Sequence, residues 1–431
     1  MGPELDTVVV RGVVAGGDGI GRLADGRVVL CEGALPGERV AVTVVERRRD
    51  HARARVVDVL DPSPLRVDPP CPHLARGCGG CTWQHVRPGG QLMLKAAIVA
   101  DALRHIGGLP DVAVAPAPPE RGTVPLAGYR TSLRLAVDSQ GRPAYRRRHA
   151  HDLVAVDSCL VAHPRLAELV ADARFPGASE VVLRVGAGTG ERLAHADRAS
   201  GRAKVPLGTA VSSPPGRPAV VHEVVDGRRW RVSATSFFQS GPEAAEVLVA
   251  AVRAALGADV GPGAVVADLY AGVGLLGGSV AAQCAGASLV AVESQRGAAR
   301  DAAANLDDVG ARVIVGEVAE ACRRGAVRGP RGRAPDVVVA DPARGGLGPS
   351  AATAVAGLGA PLVVLVSCDP ASLARDATLL GALGYRLESV EVLDLFPATF
   401  HVEAVSRFVR ASVDRRAEEV SVAPGAPGRP G

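Results

Sequence analysis

The chain has 431 residues, 47% of them hydrophobic and 3% aromatic, and its 49 basic against 45 acidic residues leave a formal charge of +4. That length is more than one compact core usually serves, so two or three domains are expected, and no apolar run reaches the roughly 18 residues that a membrane-crossing helix needs. The start, MGPELDTVVVRG, has no basic-then-apolar leader pattern, so a cytoplasmic location is expected, and the slightly basic balance permits an anionic partner without requiring one.

Residues 6 to 60 alternate in the β manner (VVVRGVV, RVVL, ERVAVTVV, ARVVDVL) between glycine-rich turns, which reads as a small barrel of about five short strands. Arginines cluster at 46–55 and again at 142–149, the second group around Tyr145, as on nucleic-acid surfaces. Compositional bias is the competing explanation. Lys95 and Lys204 are the only lysines, so arginine carries nearly every positive charge.

Pro62, Pro64, Pro69 and Pro70 mark a linker into Cys71-Pro-His-Leu-Ala-Arg-Gly-Cys78-Gly-Gly-Cys81, and Cys159 can supply a distant fourth thiol. The eight cysteines would suggest disulfides in a short secreted chain, but the length argues against that here. Four thiolates suit zinc or an iron–sulfur cluster, and the spacing does not choose between them. A redox disulfide between Cys78 and Cys81 is the remaining alternative. Helical spacing of Leu92, Ala96, Val99, Ala100 and Leu103 predicts a helix over Gln91–Ile106. From Tyr129 to Trp230, β-like runs alternate with a Gly/Ser/Arg-rich segment near 187–217, expected to be a mobile loop.

Beyond Pro242 the pattern becomes strand then helix, repeatedly: VVADLY, SLVAVE, RVIVG, DVVVAD, LVVLVSC and RLESVEVLDLF, with helical stretches between. This alternation predicts a parallel, doubly wound sheet and an α/β fold class. The expected organisation is a barrel over 1–62, a small central α+β domain over 63–235, a Rossmann-like domain over 236–412 and a polar, disordered tail over 413–431.

Ligands of such sheets bind outside the carboxyl ends of the strands. Asp268-Leu-Tyr270-Ala-Gly272-Val-Gly274 follows the first strand, Glu293 ends the second and Asp341 ends the fourth. Glycines let backbone approach a ligand, and Glu293 can accept both ribose hydroxyls of an adenosine. The lack of a GxxxxGK[ST] loop argues against a nucleoside triphosphate, and the departure from GxGxxG favours a mononucleoside such as S-adenosylmethionine. In PLVVLVSCDPASLARD, Cys368 leaves an apolar strand at that same edge, where a thiol is either a nucleophile or a small core residue.

Taken in order, CPHLARGCGGCTWQH, GYRTSLRL, SFFQS, DLYAGVG, DPARGG, SCDPASLARD and DLFPATFHVE make the chain resemble, over nearly all of residues 1–412, the S-adenosylmethionine-dependent RNA uracil-5-methyltransferases that carry a TRAM domain and an iron–sulfur cluster. The resemblance implies a [4Fe–4S] cluster on Cys71, Cys78, Cys81 and Cys159. It implies that Gln239, Tyr270, Glu293 and Asp341 line the cofactor site, with Cys368 as nucleophile and Glu403 as general base. The expected substrate is 23S rRNA, with tRNA as alternative, and a monomer is the simplest state. A non-catalytic RNA-binding protein that retains the fold is the competing class. Arg130, Arg146 to Arg148 and Phe237 are candidates for holding the displaced strand, and His401 is expected to be a supporting or surface histidine. Asp369 stands where the family usually has asparagine, which would raise the Cys368 pKa unless its carboxylate is engaged elsewhere.

Overall fold

The computed structural model describes residues 5–148, 150, 152–198 and 203–411. The expected tail from 413, and His149 of the second arginine cluster, lie outside the described residues. Six strands form the N-terminal sheet: β1 (Asp6–Val9), β2 (Gly12–Val13), β3 (Gly19–Arg22), β4 (Val28–Glu32), β5 (Arg39–Arg47) and β6 (His51–Asp61). Their ladder runs β1-β5-β6-β4-β3-β2 without pairing β2 back to β1, so the expected five-stranded barrel is a six-stranded open sheet. Three register shifts between β5 and β6 curl it around Val8, Val29, Val40 and Val42.

Helix α1 (Pro88–His105) starts with a proline in its first turn, where the missing N–H costs nothing. Sequence order assigns it to the central domain, yet its apolar stripe packs on the C-terminal sheet, and β7 (Val114–Pro116) extends that sheet as its last strand. Three residues are too few to show a strand period, which is why β7 is not visible in sequence.

The central region holds β8 (Ser132–Val137), β9 (Pro143–Arg146), β10 (Leu153–Ala155), β11 (Glu180–Val185), β12 (Arg192–Ala196) and β13 (Thr209–Ser212) in one sheet, with helix α2 (Pro164–Asp172) between β10 and β11, followed by the hairpin β14 (Val220–Val225) and β15 (Arg228–Ser233). Two strands, β12 and β13, lie in the segment expected to be a mobile loop. Leu193 and Ala194 are fully buried there, so side-chain packing overrides a composition that looks loop-like.

The C-terminal region runs α3 (Pro242–Leu256), β16 (Val265–Leu269), α4 (Leu275–Ala281), β17 (Ser288–Glu293), α5 (Arg296–Asn305), β18 (Arg312–Val315), α6 (Val318–Arg323), β19 (Val337–Ala340), α7 (Gly348–Ala356), β20 (Leu362–Ser367), α8 (Pro370–Ala382), β21 (Tyr385–Leu393) and β22 (Glu403–Arg410). Successive strand residues go to opposite faces. Val338, Val363 and Leu365 pack with α1, α7 and α8, while Val337, Val339 and Val364 pack with α3, α4 and α5. Each such side chain contributes about 1.5–3 kcal/mol by leaving water. Strand order is β18-β17-β16-β19-β20-β22-β21-β7. The sheet is mixed rather than wholly parallel, because β22 runs antiparallel between β20 and β21. The direction of winding reverses between β16 and β19, which opens a crevice at their carboxyl ends. Among the described residues no helix is long and apolar enough to cross a membrane.

Candidate active site at the carboxyl edge of the sheet

All six residues assigned to catalysis and cofactor binding by resemblance line one cavity of about 1710 Å³, part of it open to solvent: Gln239, Tyr270, Glu293, Asp341, Cys368 and Glu403. The sheet explains their convergence. Glu293 ends β17, Asp341 directly follows β19, Cys368 directly follows β20, and Tyr270 directly follows β16. Because β22 is antiparallel, its first residue lies at the edge where its neighbour ends. The Ser367↔Ala404 pair, continued by one step, sets Cys368 opposite Glu403.

The first loop is tightly built. Tyr270 has φ +61°, a left-handed conformation uncommon outside glycine and found where a site holds the backbone in place. The Gly272 N–H donates to Glu293 at 2.8 Å and the Gln295 N–H donates to its other oxygen at 2.6 Å, so the carboxylate is oriented from both sides. Buried Asp268 accepts from the Gly277 N–H at 2.9 Å, and a Cβ on Gly277 would lie 2.5 Å from the Asp268 Cβ. Gln239 is buried and its Oε1 has no hydrogen-bond partner among the described residues, an unsatisfied acceptor at the cavity wall.

Burial and crowded carboxylates dominate the electrostatics. Burial pushes Asp341 up to about 7, and it pushes Asp268 up to about 7 with help from Asp341 and Glu293. Glu403 is driven well above the usual carboxylate range by burial and then by Asp341, with Lys95 opposing. The Cys368 thiol is raised to about 11, mainly by burial, then by Glu403 and Asp341, against Arg344. The Asp369 side chain caps α8, accepting from the Ser372 N–H at 2.8 Å. These surroundings favour the protonated Cys368 thiol near pH 7, and a cation placed beside it would favour the thiolate.

His401 is not a surface histidine. It lines the cavity, lies 4.7 Å from the Phe400 ring centroid, and is lowered to about 4 by burial and then by Arg344, Arg130 and Lys95, so it is neutral near pH 7. Phe237 is exposed at 64% although it lines the cavity, and Arg130 sits 5.7 Å over Phe396. Arg344 and Lys95 escaped the sequence reading. Arg344 carried no signal beyond its motif, whereas Lys95 had one: its rarity in an arginine-dominated chain.

Cys71, Cys78, Cys81 and Cys159 line a second, much smaller pocket, and Arg130 lines both. All eight cysteines are free thiols, so Cys78 and Cys81 form no disulfide. Burial raises Cys81 to about 11, and the Tyr145 hydroxyl lies 3.3 Å from the Cys159 sulfur. Among the described residues, no three His, Cys, Asp or Glu side chains are arranged to hold a metal ion.

The arginine clusters differ. In the first, Arg48 pairs with Glu46, Arg53 with Asp18 and Arg55 with Glu32, so its charge is largely matched on the sheet itself. In the second, Arg148 pairs with Glu32 while Arg146 and Arg147 are exposed. Arg53 and Arg146 to Arg148 line a groove that reaches Thr399, Phe400 and His401.

Residues 7–57 match the model of the TRAM domain. The chain is 35% identical to an uncharacterized RNA methyltransferase of Streptomyces coelicolor, over 94% of this chain and 93% of that protein. It is 33% identical to a 23S rRNA (uracil(1939)-C(5))-methyltransferase of Alkalilimnicola ehrlichii, over 94% and 97% respectively. Among solved structures, the tRNA (uracil-54, C5)-methyltransferase of Pyrococcus abyssi, in complex with S-adenosyl-L-homocysteine, shares the fold with a TM-score of 0.68, covering 93% of this chain and 99% of that one at 24% identity.

Proposed function

Because the chain belongs to the TRAM-bearing family of RNA uracil-C5-methyltransferases, we propose that it methylates C5 of a uridine in 23S rRNA with Cys368 as nucleophile and Glu403 as base. The observation that carries these roles is that Cys368 and Glu403, each one residue beyond the Ser367↔Ala404 pair of β20 and β22, line one cavity that also holds the strand-end carboxylates. Uracil C5 is a poor nucleophile. Addition of the Cys368 thiolate to C6 moves the ring's electron pair toward O4 and C5, which makes C5 reactive. S-adenosylmethionine, when bound, supplies an electrophilic methyl group on a sulfonium. The buried, unpaired Gln239 Oε1 and the backbone-oriented Glu293 carboxylate fit a polar nucleoside ligand, so Gln239, Tyr270, Glu293 and Asp341 would hold it. Glu403 then takes the C5 proton, the C–H pair becomes the C5=C6 double bond, and Cys368 leaves as thiolate. A base inside folded RNA must be flipped to reach Cys368, and exposed Arg146, Arg147 and Phe237 are suited to hold the strand around it.

The uridine is tested by mass-spectrometric mapping of 5-methyluridine in 23S rRNA and tRNA from cells with and without the gene. Loss of one 23S mark is expected. Loss of the tRNA thymidine-loop mark instead would favour the tRNA reading, which rests on likeness of fold, and retention of every mark would favour the non-catalytic one. We place the enzyme in the cytoplasm as a monomer.

Although no three His, Cys, Asp or Glu side chains stand in a metal-holding arrangement among the described residues, four thiols lining one pocket are the donor type of an iron–sulfur cluster, and we assign a [4Fe–4S] cluster to Cys71, Cys78, Cys81 and Cys159. Anaerobically purified protein is expected to contain iron and acid-labile sulfide, both lost in Cys81→Ser. Stoichiometric zinc without sulfide would overturn the assignment.

A further inference from the structure

We propose that Lys95 is a positioning residue for the proton-removal step, resting on the roles just assigned to Cys368 and Glu403. Lys95 is fully buried in a chain whose other positive charges, Lys204 apart, are arginines. Its Nζ donates to Asp394 Oδ1 at 2.6 Å and to the Phe396 carbonyl at 3.2 Å. One turn earlier on the same face of α1, buried Gln91 accepts from the Ala398 N–H at 2.6 Å and donates to the Val86 carbonyl at 2.9 Å. Ala398 has φ +64°, so the loop from Asp394 to Val402 is held in a conformation it would not favour alone. The Tyr129 hydroxyl on the Pro397 carbonyl and the Ser240 hydroxyl on the Leu395 carbonyl complete the clamp.

The clamp fixes which charge faces the base. Around Glu403 stand Asp341 after β19, Cys368 after β20, and Lys95 from α1 with Asp394 of the loop on its ammonium; Arg344 acts on Cys368 and on His401. Lys95 is the one cation among those acting directly on Glu403, and it favours the carboxylate that Asp341 disfavours. A compact ammonium fits a buried position between the Asp394 carboxylate and the Phe396 carbonyl where a guanidinium fork would not. Burying that charge is costly unless it is paired, and here it is paired beside the group that must accept a proton.

The test uses Lys95→Met, and Lys95→Met/Asp394→Leu to avoid a lone buried carboxylate, with wild type as control, each incubated with S-adenosylmethionine and the mapped RNA. Expected are a fall in kcat of roughly tenfold or more, accumulation of a denaturant-stable protein–RNA adduct carrying the 5-methyl group, and an acid limb of the kcat profile moved to higher pH. The sign follows from losing a cation: Glu403 then keeps its proton to higher pH. If variants that melt like wild type lose rate without adduct and with an unmoved profile, Lys95 serves the fold alone and the proposal is overturned. If wild-type protein itself methylates no uridine, the assigned chemistry falls first and the inference falls with it.

Discussion

Cys368→Ala is expected to abolish uridine methylation, by roughly 10⁴-fold or more, the scale on which removing a covalent nucleophile acts. It is also expected to remove any covalent protein–RNA species. The reason is chemical rather than structural. Alanine fills the position after β20 without disturbing the fully buried run Leu362–Val366, so the fold and the nucleoside site should survive. Without the thiolate, however, C5 never becomes nucleophilic. Rate and adduct should be read together, on one RNA substrate, by tritium transfer and by denaturing gel. Full turnover in the alanine variant would move the nucleophile elsewhere and would sink the assignment of Cys368.

Glu403→Gln should fail in the opposite way. The amide keeps the size of the side chain at the start of β22 but cannot take a proton. Thiolate addition and methyl transfer should proceed, and release should slow by roughly 10²–10⁴-fold, the usual worth of a general base. The RNA then remains attached to Cys368 with its methyl group already in place, so intact-protein mass spectrometry should find an adduct heavier by the methylated RNA. A variant as free of adduct as Cys368→Ala would mean that Glu403 acts before C–C bond formation. Asp341 raises the proton affinity of Glu403, so a pH series on wild type should show the pocket releasing product more slowly as acid fills the carboxylates.

Much of the site was legible because it hangs on one rule, that parallel strands deliver their last residues to the ligand. Asp268, Glu293, Asp341 and Cys368 each follow a continuous apolar run, and such runs are what fully buried parallel strands look like. Glu403 is different, since it begins a strand instead of ending one. Position alone gave no reason to place it at the same edge until β22 proved to be antiparallel. Lys95 breaks the apolar stripe of its own helix, so periodicity reads it as an exposed interruption although it is fully buried. Likewise β12, β13 and β7 are too short or too polar for a period of two to show, and only packing against neighbouring strands defines them.

The ladder between β20 and β22 also bears on how such an enzyme can diversify. Adjacent strands lie about 4.7–4.9 Å apart whatever their side chains, so the spacing of Cys368 and Glu403, one step beyond the Ser367↔Ala404 pair, follows from the backbone ladder. The loop from Asp394 to Val402 connects to that ladder without being part of it. Changes in the loop that leave Asp394, Phe396 and Ala398 on their α1 partners can therefore redirect what the enzyme grips while Cys368 and Glu403 stay in place. Drift in substrate preference is thereby uncoupled from the bond-making chemistry.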